Sequence, residues 1–201
     1  MDDTRVHIFW DNSNLFHSAQ DACDDVKSGY ERGHRLDARL HFRNVYEFAK
    51  ANRDVERAIA VGSIPPGLSA LWGGLRKAGI SIDLHERGAE SGREQAVDEA
   101  LQLQMLRSLA DFDPAVAVVL SGDGGYIPDI QRLLEKGWGV EVLAFKGSMN
   151  RRLKQIATGY SGRGKYVELD GWYQQLVYLQ GLEEEILRPA DPLNLAGRYR
   201  V

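Results

Sequence analysis

The sequence predicts a three-layer α/β/α domain built on a mainly parallel central sheet of five or six strands. Three observations carry that expectation. Strand-like and helix-like segments take turns along the chain. The run Ala115 to Leu120 (AVAVVL) is continuously apolar, as a central strand covered on both faces is. The segments between strands are long enough for the crossovers that parallel neighbours require, and such crossovers place helices on both faces of the sheet.

The elements follow in order. Arg5 to Trp10 reads as the first strand. The polar stretch Phe16 to Arg35 is longer than most connections of this kind and reads as a mobile loop, either a substrate-facing loop or a disordered insertion. Asp37 to Lys50 is helix-like, Arg57 to Gly62 (RAIAVG) strand-like, and Leu68 to Lys77 helix-like. Ile80, Ile82 and Leu84 alternate as a third strand. Glu94 to Leu109 follows as a helix whose stripe of Val97, Leu101, Met105 and Leu109 should face the sheet. After the central strand come a helix over Tyr126 to Lys136, a strand carrying Val140, Val142 and Ala144, and a helix over Asn150 to Ala157. Tyr166 to Leu169 is a short edge strand. Trp172 to Leu187 reads as a last helix leading into a Pro-containing tail, RPADPLNLAGRYRV. Residues 1–170 thus form the main domain, with 171–201 as a C-terminal helix and tail packed on it.

At 201 residues and 22.5 kDa the chain buries a sufficient core without disulfides or a structural metal. Cys23 is alone and the five histidines are scattered, so no zinc-site spacing appears and any metal must take oxygen ligands. No apolar run is long enough to span a bilayer. The start, MDDTRVHIFW, carries no secretory pattern, which gives a cytoplasmic expectation. A homodimer is left open. The net charge of −4 gives no global attraction to a polyanion, so a nucleic-acid partner has to be argued from local charge.

In a parallel sheet, ligands bind beyond the carboxyl ends of the strands. The first strand ends in Asp11-Asn12-Ser13-Asn14 and the central one in Ser121-Gly122-Asp123-Gly124-Gly125, while Asp98 lies near the start of the third helix. Each motif alone also suits turns and helix caps. Ser91-Gly92-Arg93-Glu94 matches a capping box, which assigns Glu94 to the helix start. Together, the strand-end aspartates converge on one edge, with Asp98 bordering the apolar stripe. At about 5 Å and an effective dielectric near 20, each like-charge pair costs roughly 3 kcal/mol, so such a cluster takes up protons or a cation. Hard oxygen ligands select Mg²⁺ or Mn²⁺, which keep waters and bind phosphates. The chemistry suits phosphodiester hydrolysis.

The order of Asp11-Asn12-Ser13-Asn14, Val97-Asp98 and Ser121-Gly122-Asp123-Gly124-Gly125-Tyr126-Ile127-Pro128, ahead of Gly137-Trp138-Gly139-Val140-Glu141-Val142, resembles the NYN domain family of PIN-like metal-dependent ribonucleases. The resemblance spans roughly residues 4 to 170. It implies a PIN-like fold, an acidic pocket for Mg²⁺ or Mn²⁺ and endonucleolytic cutting of RNA. Carried over by position, Asp11, Asp98 and Asp123 are the expected metal ligands, with Asn14 and Ser121 orienting ligands or substrate and Asn12 a weaker candidate for the same work. Family members often have an Asp two residues after the position of Asp123, where this chain has Gly125, and Lys-Gly before Val-Asp, where it has Gln95-Ala96. Asp129 is the candidate replacement for the missing acid. Its plainer task is to stabilise its own helix N-terminus.

From Lys146 to Lys165 the chain carries Lys146, Arg151, Arg152, Lys154, Arg163 and Lys165 without one acid. This strip starts on the same sheet edge as the aspartates, where phosphate contacts would hold RNA in a salt-dependent way. Tyr160 is placed to stack on a base. The plainer reading is a solvated helix face. Two other functions stay open. A non-catalytic RNA-binding or scaffolding module is favoured by Gly125 and Gln95. A haloacid dehalogenase-like phosphatase is suggested by Gly122-Asp123-Gly124 through Asp129 but needs a second acid two residues after the first-strand Asp, where Ser13 stands. No G-x-G-x-x-G follows the first strand, which disfavours dinucleotide binding.

Overall fold

A computed structural model describes residues 3–25, 29–30, 32–64, 73, 76, 80–86, 93–160, 162–181, 183, 185–196 and 198. Six strands form the main sheet: β1 (Arg5–Asp11), β3 (Asp54–Ile64), β4 (Ser81–Glu86), β5 (Val116–Leu120), β6 (Gly139–Ala144) and β7 (Gly164–Glu168). Their order is β4-β3-β1-β5-β6-β7, and every neighbouring pair is parallel. From β1 the chain winds outward to β3 and β4, then returns to place β5, β6 and β7 on the other side. The strand order therefore reverses between β1 and β5, the position where open parallel sheets form a crevice beyond their carboxyl ends.

The apolar side chains of the sheet divide into two cores, one on each face. Val6, Ile8 and Trp10 of β1 pack with Leu15 and Ala19 of helix α1 (Asn12–Cys23), Val45 and Phe48 of α2 (Phe42–Lys50), and Leu176 of α6 (Tyr173–Leu176). On the opposite face Phe9, Ala117, Val119 and Val142 meet Leu101 and Met105 of α3 (Arg93–Asp111). The same core takes Ile130 and Leu133 of α4 (Ile127–Glu135) and Leu153 and Ala157 of α5 (Arg151–Gly159). The result is the three-layer α/β/α arrangement expected. All five residues of β5 are buried, which explains why that strand is uniformly apolar.

Three expectations need correction. The stretch from Phe16 to Arg35 does not begin as a loop: Asp11 caps α1, which runs on to Cys23. Further along that stretch Tyr30 is buried, donates its hydroxyl to the Val177 carbonyl at 2.7 Å and meets Tyr173 edge-on. The helix placed at Asp37 to Lys50 begins only at Phe42, because Ala38–Leu40 is a strand, β2. The last helix, Trp172 to Leu187, is one turn of α6 followed by β8 (Val177–Gln180) and β9 (Ile186–Arg188). These pair with β2 as an antiparallel three-stranded sheet. In β8, Val177 and Leu179 are buried and alternate with half-buried Tyr178 and Gln180, a period of two that a helix cannot satisfy. The helix expected at Leu68 to Lys77, apart from Gly73 and Arg76, and the capping side chain of Glu94 fall outside the described residues.

Candidate active site

Asp11 ends β1 and is at once the N-cap of α1. Its two oxygens face different tasks. Oδ1 accepts the backbone N–H of Asn14 at 3.0 Å, the capping bond that Asp supplies at a helix start. Oδ2 accepts from Ser121 Oγ and from the Tyr126 hydroxyl, each at 3.2 Å. The capping reading and the functional reading of this residue thus describe one oxygen each.

The loop after β5 is built around the same carboxylate. Ser121 is fully buried, and its Oγ also accepts the Asp123 N–H at 3.1 Å. Asn14 Oδ1 accepts the Gly122 N–H at 3.0 Å. Asp123 caps the 3₁₀ turn Gly124–Tyr126, its Oδ1 accepting from Gly125 N at 2.7 Å. Tyr126, at the end of that turn, is fully buried. Its hydroxyl lies 2.9 Å from Asp98 Oδ1 and 3.2 Å from Asp11 Oδ2. One phenol therefore bridges two carboxylates carried by β1 and α3.

Burial sets the electrostatics. It pushes the Asp11 carboxyl up to about 6, and the neighbouring charge of Asp98 adds to this against the hydrogen bonds from Asn14, Tyr126 and Ser121. Burial, then the same two carboxylates, holds the Tyr126 phenol far above its ordinary value, so it stays a donor. Asp11 and Asp98 are a close pair of acids, one of them deeply buried, whose charge a cation would relieve.

The structure brings Asp11, Asp98, Ser121, Asn14 and Tyr126 into one bonded cluster, with Asp123 joined to it through Ser121. Asp129 stands apart. It is buried in the first turn of α4 with Arg132 at 3.4 Å, and burial raises its carboxyl while Arg132 opposes the rise. Among the described residues, no group of three or more His, Cys, Asp or Glu side chains is close enough to hold a metal ion. Two carboxylates are what Mg²⁺ commonly takes from a protein, the rest of its shell being water and phosphate. The Asp11 and Asp98 donor set fits that demand. A second observation agrees: Asn12, next to Asp11, is buried with its Oδ1 lacking any hydrogen-bond partner, a condition that buried acceptors rarely keep without a water or ion.

The basic strip adjoins this cluster. Asn150 caps α5 by accepting from Arg152 N and Leu153 N, while its own N–H donates to the Gly122 carbonyl at 2.9 Å. Gly122 lies so close to Ser148 that a Cβ there would stand 2.5 Å from its carbonyl oxygen. The start of α5 is thus pressed against the Ser121 to Gly125 loop. Lys146, Arg151, Arg152 and Lys154 are exposed, and Lys154 reaches over the Tyr166 ring at 4.6 Å. Tyr160 is half-buried against the core, with Arg163 over its ring at 5.9 Å, so it is less free to stack on a base than its sequence position suggests. Asp170, after β7, accepts the Lys146 backbone N–H at 2.7 Å and anchors the main chain where the strip begins.

Sequence reasoning passed over Tyr126 as a site residue. The available signal was its place three residues after Asp123, at the foot of a helix whose start faces the strand ends.

The parallel six-stranded sheet between two helical layers is consistent with a PIN-like fold. The chain belongs to the NYN domain family, whose family model matches residues 5–161. No curated protein sequence matches it. Among the described residues no helix is long and apolar enough to cross a membrane.

Proposed function

We propose that this protein is a divalent-metal-dependent endoribonuclease whose reaction centre is the Asp11 and Asp98 pair. The observation that carries the reading is the bridge from Tyr126 to both carboxylates at the switch point of the sheet. Asp11 and Asp98 would hold Mg²⁺ or Mn²⁺, with Asp123 on the loop beside them. When bound, the ion supplies a lowered pKa for the attacking water and offsets charge on the phosphoryl oxygens. Asn14 and Ser121 orient Asp11 and the loop that carries Asp123. Lys146, Arg151, Arg152 and Lys154 bind the RNA backbone next to that loop and set its register. Asn12 offers a buried acceptor near the site. Asp129 would have to give up Arg132 to join the ligands, so its work is at the start of α4.

Cleavage of a labelled single-stranded RNA by the purified chain with Mn²⁺, with Mg²⁺ and with EDTA tests the reading, alongside Asp11→Asn and Asp98→Asn. Metal-dependent cutting that both variants lose supports it. Binding should weaken steeply with salt, in proportion to the phosphates contacted. A second reading, an RNA-binding module that does not cut, is favoured by Gly125, which puts no carboxylate where the family often has one. RNA binding without cleavage under every metal condition would establish that alternative.

A further inference from the structure

The Tyr126 hydroxyl is neither a metal ligand nor an RNA contact in the proposed reaction. Its ring is part of the core that also holds Leu101, Met105 and Ile130, and a phenylalanine ring would fill the same space. The oxygen is therefore not needed for packing. It lies instead between Asp11 Oδ2 and Asp98 Oδ1, at 3.2 and 2.9 Å, and it is the described contact that joins those two side chains. Asp11 is anchored on its other oxygen by Asn14. Asp98 rises from a helix, so the phenol spans from a fixed carboxylate to one on a separate element.

We propose that Tyr126 is a positioning residue that fixes the separation of Asp11 and Asp98 and so presents them as a preformed pair to a divalent cation. This rests on the metal-dependent reading of the site. Each carboxylate oxygen has more than one lone pair. The hydroxyl approaches both acids from the protein side, between β1 and α3. Holding both acids before the ion arrives removes the ordering that binding would otherwise impose. Partners of this kind behind metal ligands typically change metal affinity by about 10- to 100-fold when removed.

The test is Mn²⁺ binding to the full chain without RNA, followed by the loss of the free-ion paramagnetic resonance signal, for the natural protein, Tyr126→Phe and Asp98→Asn. Tyr126→Phe should bind Mn²⁺ about 10- to 100-fold more weakly while keeping its melting temperature within a few degrees. In RNA cleavage, the metal concentration for half activity should rise and the KM for RNA at saturating metal should hold. Equal or tighter Mn²⁺ binding by Tyr126→Phe overturns the inference and leaves the metal reading intact. Absence of Mn²⁺ binding by the natural protein overturns both. A second measurement does not depend on Tyr126→Phe folding: Mg²⁺ added to the natural protein should change near-ultraviolet tyrosine absorbance. That change should be lost in Asp98→Asn, and its persistence there counts against the bridge.

Discussion

Asn14 accepts the backbone N–H of Gly122 at 3.0 Å while its own N–H caps onto Asp11. One residue in the first turn of α1 therefore ties the end of β1 to the loop after β5. Gly122 is buried, so removing its acceptor leaves an unpaired donor at a cost of about 1 to 3 kcal/mol. Asn14→Ala should lose that much in urea unfolding and cut RNA more slowly. Asn14→Asp keeps an acceptor at the position and should recover most of the stability. Equal stability of the two variants would show that the Gly122 bond contributes nothing.

Asp11 gives a prediction in pH. Its carboxyl is raised to about 6 in the fold from 3.8, so the native state binds its proton more tightly than the unfolded chain does. The corresponding stabilisation is complete below 3.8 and is lost as pH rises through 6. The span amounts to about 3 kcal/mol. Asp11→Asn should flatten the stability profile between those two values and be the more stable protein at pH 7.5, since Asn also caps helices well. Mg²⁺ should raise the melting temperature of the natural protein at that pH and leave the variant unchanged.

That behaviour shows why the site was partly legible in sequence. Strand ends could be found because β1, β5 and β6 are short runs of buried apolar residues. An Asp following such a run lands at the edge where ligands bind. Asp11 and Asp123 both read equally well as caps, and the structure uses each of them as one. The place of Tyr126 was legible but its role was not, because a buried tyrosine near a helix start looks like core, and only the arrival of α3 from a distant part of the chain gives its hydroxyl two partners. The C-terminal sheet was missed for a similar reason. Val177-Tyr178-Leu179-Gln180 is too short to show a period against a helix-like background, and its strand partner β2 lies about 140 residues earlier. The nonlocal pairing overrode local propensity.

Gly125 and Gly122 make a contrasting pair. A Cβ at Gly125 would meet Asp123 Oδ1 at 3.4 Å and no backbone, whereas one at Gly122 would meet the Ser148 carbonyl at 2.5 Å. Gly125→Asp should fold and add an acid next to Asp123, on the loop beside the pair. Without metal it should lose about 1 kcal/mol to like-charge repulsion. With Mn²⁺ it should bind more tightly than the natural protein and cut faster. Gly122→Ala should instead lose about 1 to 3 kcal/mol, the cost of overpacking, with no gain in metal binding. Calorimetric titration with Mn²⁺ distinguishes them; weaker binding by Gly125→Asp would place position 125 outside the reach of the ion.

Far from the site, Arg198 ties the C-terminal tail to the sheet. Its side chain is 1% exposed and pairs with Glu141 on β6, which also pairs with Arg53 at 3.0 Å. Its Nε donates to the Phe48 carbonyl at 3.2 Å. Burial alone would raise the Glu141 carboxyl, but Arg198 and Arg53 outweigh it and hold the group below its ordinary value. The stability this gives is present above 4.5, the ordinary value of the group, and is lost as pH falls through the lower folded value. Arg198→Ala removes one of the two cations paired with Glu141 and should cost about 1 to 3 kcal/mol at pH 7. With only Arg53 left to oppose burial, the Glu141 carboxyl rises, so the variant should also lose less of its remaining stability between pH 5 and 3. Guanidinium unfolding across that range checks both parts. A variant as stable as the natural protein would mean that the tail is not held through Glu141.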